Sequence, residues 1–190
     1  MNSTEIAERL KSMPDGSSIA LKIGENNFAD NYVAAITGIL KEFMPERRYT
    51  CVYVTTTTPS HLCKNLFEMF EVDVSNIYFV DAISHIMMNV STQMERTTYI
   101  ESPTMLENIL LKIEFLLKKL PTENKLLILD SINTLAIHNG NRILAEFLHI
   151  LVNNLKSKGV FTIILGVEEK NSDEISNMLS LVCDDTIVVK

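Results

Sequence analysis

The chain has 190 residues, 46% apolar and 22% charged, which excludes a disordered chain and leaves enough length to bury one ordinary core. Its formal net charge of −7 argues against DNA or RNA as a bulk partner, because such binding rests on clustered lysine and arginine. The basic pairs Arg47-Arg48 and Lys118-Lys119 are short and read as solvated loop or helix ends.

Along the chain, Thr4 to Ser12 carries Ile6 and Leu10 four apart among charges, a short amphipathic helix. Pro14, Asp15 and Gly16 stop it with turn chemistry. Ile19 to Ile23 is a first strand, followed by a polar loop. Tyr32, Val33, Ile36, Ile39, Leu40 and Phe43 then recur at helical spacing, and Pro45 is expected to close that helix. Cys51 to Thr55 is a second strand running into four threonines, and Pro59-Ser60 opens a helix carrying Leu62, Leu66, Phe67 and Phe70. Ile77 to Val80 is a third short strand, followed by Asp81. Ala82 to Ser102 is polar without a strong period and reads as a surface excursion, with Ile86, Met87, Met88 and Met94 as its apolar members. Those methionines suit either an adaptable contact surface or core filler.

Ser102-Pro103 predicts a helix start, serine as cap and proline at the first helical position, running to Leu120. Leu126 to Leu129 is wholly apolar, which suits a central strand buried on both faces. A helix from about Arg142 to Lys156 follows, then a strand at Val160 to Leu165, a helix at Ser172 to Leu181 and a last strand at Thr186 to Val189. Strands alternate with helices throughout, predicting an α/β fold with a mainly parallel sheet covered on both faces. With no linker, repeat or low-complexity tract, residues 1–190 are expected to form a single domain.

Cys51, Cys63 and Cys183 are odd in number, far apart and without a C-x-x-C pair, so neither a disulfide framework nor a zinc site is indicated. No two of the histidines stand at H-x-x-x-H spacing. The polar start MNSTEIAERLK and the lack of a membrane-length apolar run make a reduced cytoplasmic setting the expectation. Ser60, His61 and Asp81 do not form a recognisable nucleophile relay. Glu168-Glu169 read as a solvated face.

The stretch Ile19 to Tyr32, IALKIGENNFADNY, has the layout of a phosphate-binding loop, G-x-x-x-x-G-K-[ST] between a strand and a helix. Laying Gly24 on the first glycine, with Glu25 next, puts Ala29 at the second glycine, Asp30 at the lysine and Asn31 at the Ser/Thr. The same stretch also reads as an ordinary strand-to-helix connection.

Three segments together resemble the RecA/KaiC-like branch of the P-loop ATPases, in its archaeal KaiC-like type. They are LKSMPDGSSIALKIGE at the start, YIESPTMLENILLKIEFLL (Tyr99 to Leu117), and KLLILDSINTL (Lys125 to Leu135), the last similar to the Walker B strand with its Asp130-Ser131. The tail, VFTIILGVEE then LVCDDTIVVK, continues in the same order. The resemblance implies a three-layer RecA-like P-loop NTPase fold in which the Val160 to Leu165 strand lies between the Ile19 and Leu126 strands. Gly24, Thr55 and Asp130 would then gather at the carboxyl ends of the strands, where ligands of such sheets bind.

Position by position, the phosphate-loop chemistry is replaced. Asp30 exchanges attraction for repulsion at the lysine position, several kcal/mol at an effective dielectric near ~20. Ala29 disfavours a left-handed backbone, and Asn31 replaces the magnesium-binding hydroxyl. Thr55 to Ser60 holds no acid where the family has its catalytic glutamate; Asp130 and Ser131 match, although Asp130 also suits a structural strand-end role. The resemblance therefore implies a non-catalytic KaiC-like pseudo-ATPase, a protein-binding or regulatory module with no cofactor and a protein partner or homo-oligomer. The alternative is a weak, assembly-dependent ATPase using ATP and magnesium, its cation and acid supplied by a neighbouring subunit, since Lys22 and Lys125 do not replace the missing lysine. A third reading gives the acidic loop, with Glu25 and Asp30, a cationic or neutral ligand. Asp30 is expected to cap the helix that follows it.

Overall fold

The computed structural model describes residues 1–87, 94–168 and 173–190. Its strands are β1 (Ser18–Gly24), β2 (Thr50–Thr55), β3 (Ile77–Asp81), β4 (Thr97–Tyr99), β5 (Lys125–Asp130), β6 (Phe161–Glu168) and β7 (Asp185–Val189). They form one seven-stranded sheet in the order β4-β3-β2-β5-β6-β1-β7. Every pairing is parallel. β6 lies between β1 and β5, as the resemblance implies.

The helices are α1 (Ser3–Lys11), α2 (Phe28–Ile36), α3 (Met44–Glu46), α4 (Ser60–Met69), α5 (Ser84–Met87), α6 (Leu106–Lys119), α7 (Ile132–His138), α8 (Asn141–Ser157) and α9 (Asp173–Val182). Alternation along the central strands sends side chains to opposite faces of the sheet, and both faces are apolar. Ile19, Leu21, Ile23, Tyr53, Leu126 and Ile128 pack with Ile6, Leu10, Ile36, Phe43 and Phe67 from the helices of one layer. Ala20, Val52, Val54, Leu127 and Leu129 pack with Ile109, Ile113, Leu148, Leu151 and Leu179 from the other. The result is a three-layer α/β arrangement, each buried Leu, Ile or Phe contributing about 1.5–3 kcal/mol.

Several local expectations are corrected. The helix ends at Glu46, one residue past Pro45, but it is not one uniform α-helix: α2 passes into a π-helical segment, Thr37–Phe43, and then into α3. Gly38 in the π segment is required by close packing: a Cβ there would stand 2.6 Å from the Ser3 carbonyl oxygen and 3.2 Å from Ile6 Cβ. Ser102-Pro103 forms a turn, in which Ser102 Oγ accepts from the Thr104 N–H at 3.2 Å, and α6 begins only at Leu106.

Ala82 to Ser102 is not wholly a surface excursion either. Ala82, Ile83, Ser84 and Ile100 are buried, and Thr97–Tyr99 adds strand β4 beside β3. Ile86 and Met87 are exposed and Met94 is half-buried; Met88 lies outside the described residues, as do Glu169 and Ser172. Among the described residues no helix is long and apolar enough to cross a membrane.

Candidate functional site

Parallel pairing aligns the carboxyl ends of the strands. Thr55 of β2 is in register with Asp81 of β3 on one side and Asp130 of β5 on the other, and Asp130 is in register with Leu165 of β6. Gly24 ends β1 one strand beyond β6. The sequence-predicted residues Gly24, Thr55 and Asp130 thus lie along one edge of the sheet, with the Glu25–Asn31 stretch rising above it.

That stretch is short and closed. Glu25, Asn26 and Asn27 are exposed, Asn27 adopts the left-handed conformation (φ 56°) that asparagine tolerates, and α2 starts at Phe28. Asn31 is buried, and its side-chain amide donates to the carbonyls of Asn26 at 2.8 Å and Gly24 at 3.3 Å. Two loop carbonyls therefore point inward, where a phosphate cradle would present N–H groups. Gly24 is closely packed, since a Cβ would stand 3.1 Å from the Val189 carbonyl oxygen. Ala29 and Asp30 are exposed in the first turn of α2. The expected Asp30 cap is absent: the cap residue is Asn27, whose side chain makes no capping hydrogen bond. At the third helical position Asp30 keeps only the favourable interaction of an acid with the helix dipole.

Asp130 is 8% exposed, and one of its oxygens accepts from two phenols, Tyr53 Oη at 2.5 Å and Tyr32 Oη at 2.7 Å. Tyr32 follows Asn31 directly on α2, and Tyr53 lies fully buried on β2. Burial pushes the Asp130 carboxyl above its ordinary range, with the two phenols pulling the other way. Burial and the Asp130 charge push both tyrosines well above theirs, so the phenols remain protonated donors. Sequence reasoning missed both tyrosines. The one available signal was the position of Tyr32 beside the loop.

Two of the four threonines, Thr56 and Thr57, tie the end of β2 to the segment after β5. Thr56 donates its N–H to the Asp130 carbonyl at 2.8 Å, and its hydroxyl accepts from the Ser131 N–H at 3.0 Å. The peptide between Asp130 and Ser131 is cis. Ser131 caps α7, its hydroxyl accepting from Thr134 N–H at 3.4 Å, and Thr57 and Thr134 hydroxyls lie 2.7 Å apart. Asp81 is fully buried and accepts from the N–H groups of Ser60, Ile83 and Ser84 and from the Ser84 hydroxyl, at 2.6–3.0 Å. Burial alone would raise its carboxyl; the hydrogen bonds from Ser60 and Ser84 outweigh it and hold the group below the usual range. Asp81 meets Ser60 through the backbone N–H, which is a structural anchor.

A cavity of about 280 Å³ opens above Asp130, walled by Phe28, Tyr32, Cys63, Leu66, Leu165 and Thr134 among others. Gly166 lets its floor close, because a Cβ there would stand 2.9 Å from Ile132 Cγ2. A second, more polar cavity of about 450 Å³ borders Lys22, Glu25, Glu168 and Lys190. Its lysines are engaged: Lys22 donates to Ser176 at 2.9 Å and Lys190 pairs with Glu168 at 2.8 Å. Lys125 begins β5 and so lies at the opposite end of the sheet from Asp130. Among the described residues no cluster of three or more His, Cys, Asp or Glu could hold a metal ion.

A model of the KaiC ATPase family matches residues 39–190. Residues 1–38, which include the Gly24 to Asn31 loop, lie outside that match. Among solved structures the chain is similar to the crystal structure of a KaiC-like protein, PH0186, from the hyperthermophilic archaeon Pyrococcus horikoshii OT3. The TM-score is 0.66 at 21% identity, with 93% of this chain and 72% of that one covered. A likeness at that identity carries the fold and leaves the site to be argued from its own residues. A comparison with curated proteins gave no match.

Proposed function

The chain belongs to the KaiC ATPase family, and from that premise we propose that it is a non-catalytic member, a binding or regulatory module that keeps the fold without nucleotide hydrolysis. The observation that carries this reading is the state of Asp130. In P-loop NTPases generally the Walker B aspartate helps hold magnesium; here Tyr32 and Tyr53 both donate to one oxygen of Asp130. The loop supports the same reading, because the Asn31 amide holds the Gly24 and Asn26 carbonyls turned inward.

The residues present do not fit magnesium–ATP. An anionic triphosphate would meet inward carbonyls, the Asp30 carboxylate at the lysine position and a buried Asp130, with no free lysine among the described residues around the loop. Two unit charges about 4 Å apart interact by roughly 4 kcal/mol at an effective dielectric near 20, about three orders of magnitude in affinity.

A non-catalytic KaiC-like domain acts through what it touches. KaiC-like domains commonly form oligomers, so another copy of the chain or a protein partner is the expected counterpart. Phosphate release measured with excess magnesium–ATP over a wide range of protein concentration tests the proposal. Background rates throughout support it. Turnover at any concentration contradicts it, and turnover that grows with assembly would favour a shared, subunit-completed site.

A further inference from the structure

The cavity above Asp130 has a chemistry opposite to that of a nucleotide pocket. We infer that it is a binding site for a small organic cation with an apolar body, an amine of about the size of one aromatic ring and a short chain. This assignment rests on the reading that Asp130 has left magnesium–nucleotide chemistry.

Four observations carry it. The cavity, about 280 Å³, is close to the lower end of ordinary ligand pockets and suits a ligand of that size. Among the described residues lining it, Asp130 is the one charged side chain, and no lysine, arginine or histidine accompanies it. Asp130 is 8% exposed, and the two phenols that donate to it meet the same oxygen. A buried carboxylate accepts several donors at full strength, so a further charge-assisted donor has an acceptor there. Finally, Phe28 and Tyr32 are stacked with ring centroids 6.0 Å apart, forming an aromatic wall that favours a cation over its face. The rim is open, since Phe28 is 42% exposed and Thr57 is also exposed. An anion of the same shape would meet the Asp130 charge, which no cation among the described lining residues offsets.

The test uses one apolar body with three heads: phenethylamine, 2-phenylethanol and phenylacetate. Each is titrated into the full chain and followed by NMR shifts of the Thr57, Gly166 and Val167 amides. The amine is expected to bind at least tenfold tighter than the alcohol, and phenylacetate to leave the spectrum unchanged. Asp130→Asn, which keeps the side-chain shape, should bring amine and alcohol within about threefold of each other. Thr57→Trp, at the exposed rim, should weaken the amine at least tenfold while the rest of the spectrum stays native. Equal binding of phenylacetate, an amine preference that survives in Asp130→Asn, or no shift with any of the three compounds overturns the inference. A parallel titration with magnesium–ATP separates the two readings. Amine failure with ATP inert removes the cation site alone, whereas ATP binding removes the reading that Asp130 has left magnesium–nucleotide chemistry, on which the site rests.

Discussion

Asp81 and Asp130 end the two strands that flank β2, both opposite Thr55, yet their surroundings give them opposite characters. Asp81 is fully buried and receives three backbone N–H groups and a hydroxyl, so its charge is satisfied by atoms that fix the starts of α4 and α5. Asp130 is nearly as buried; among the described residues its side chain receives two phenols, and it borders a cavity. One carboxylate is consumed by the fold, and its pKa is held down. The other is buried beside the cavity, and its pKa is pushed up. Residue type and strand position are shared; burial raises one carboxyl, while the hydrogen bonds from Ser60 and Ser84 hold the other down.

The largest effect should come from Asp81→Ala. It strands three buried N–H groups, and urea unfolding should show a loss of about 3 kcal/mol or more. A loss below about 1 kcal/mol would break the contrast. Tyr53→Phe removes the fully buried donor to Asp130 and should cost about 1–2 kcal/mol by the same measurement, with Tyr32→Phe costing less. Asn31→Ala should cost about 1 kcal/mol and raise amide exchange at Glu25 to Asn27, since the loop carbonyls lose their internal donor.

The smallest effect, opposite in sign, belongs to Asp130→Asn. A carboxyl whose folded pKa is raised weakens the fold once ionised, so the variant should equal or exceed wild-type stability at pH 7 by up to about 1 kcal/mol. That advantage should vanish below about pH 4, where the unfolded carboxyl is also protonated. Asp81 runs the other way: its stabilisation is complete above the unfolded carboxylate pKa and is lost as pH falls through the lower folded value. Denaturation curves of wild type and Asp130→Asn between pH 3 and pH 8 would display both trends.

Much of the fold was legible because it rests on period. The apolar run Leu126 to Leu129 is a central strand buried from both sides, and Ile36, Ile39 and Phe43 do line a buried helical face. What escaped depends on partners distant in sequence. β4 is three residues long and exists through its pairing with β3. α7 is seven residues long and starts directly after Asp130-Ser131, too short for a period to show. The π segment keeps apolar residues inward at Ile39, Leu40 and Phe43, so its altered winding leaves little mark on the pattern.

At the site, the sequence placed Gly24 and Asp130 on the right edge of the sheet. It could not show that Asp130 meets tyrosines 77 and 98 residues away. It also put the helix cap on Asp30, because aspartate is a good cap in general. The chain takes a left-handed turn at Asn27 instead, and the Asn31 amide satisfies the loop from within.

The most direct measurement of the central claim, that Asp130 and the Gly24 to Asn31 loop have left magnesium–nucleotide chemistry, is isothermal titration of the full chain with magnesium–ATP. The account predicts no saturable heat up to millimolar nucleotide, in the wild type and in Tyr32→Phe alike. Saturable micromolar binding by the wild type would contradict it.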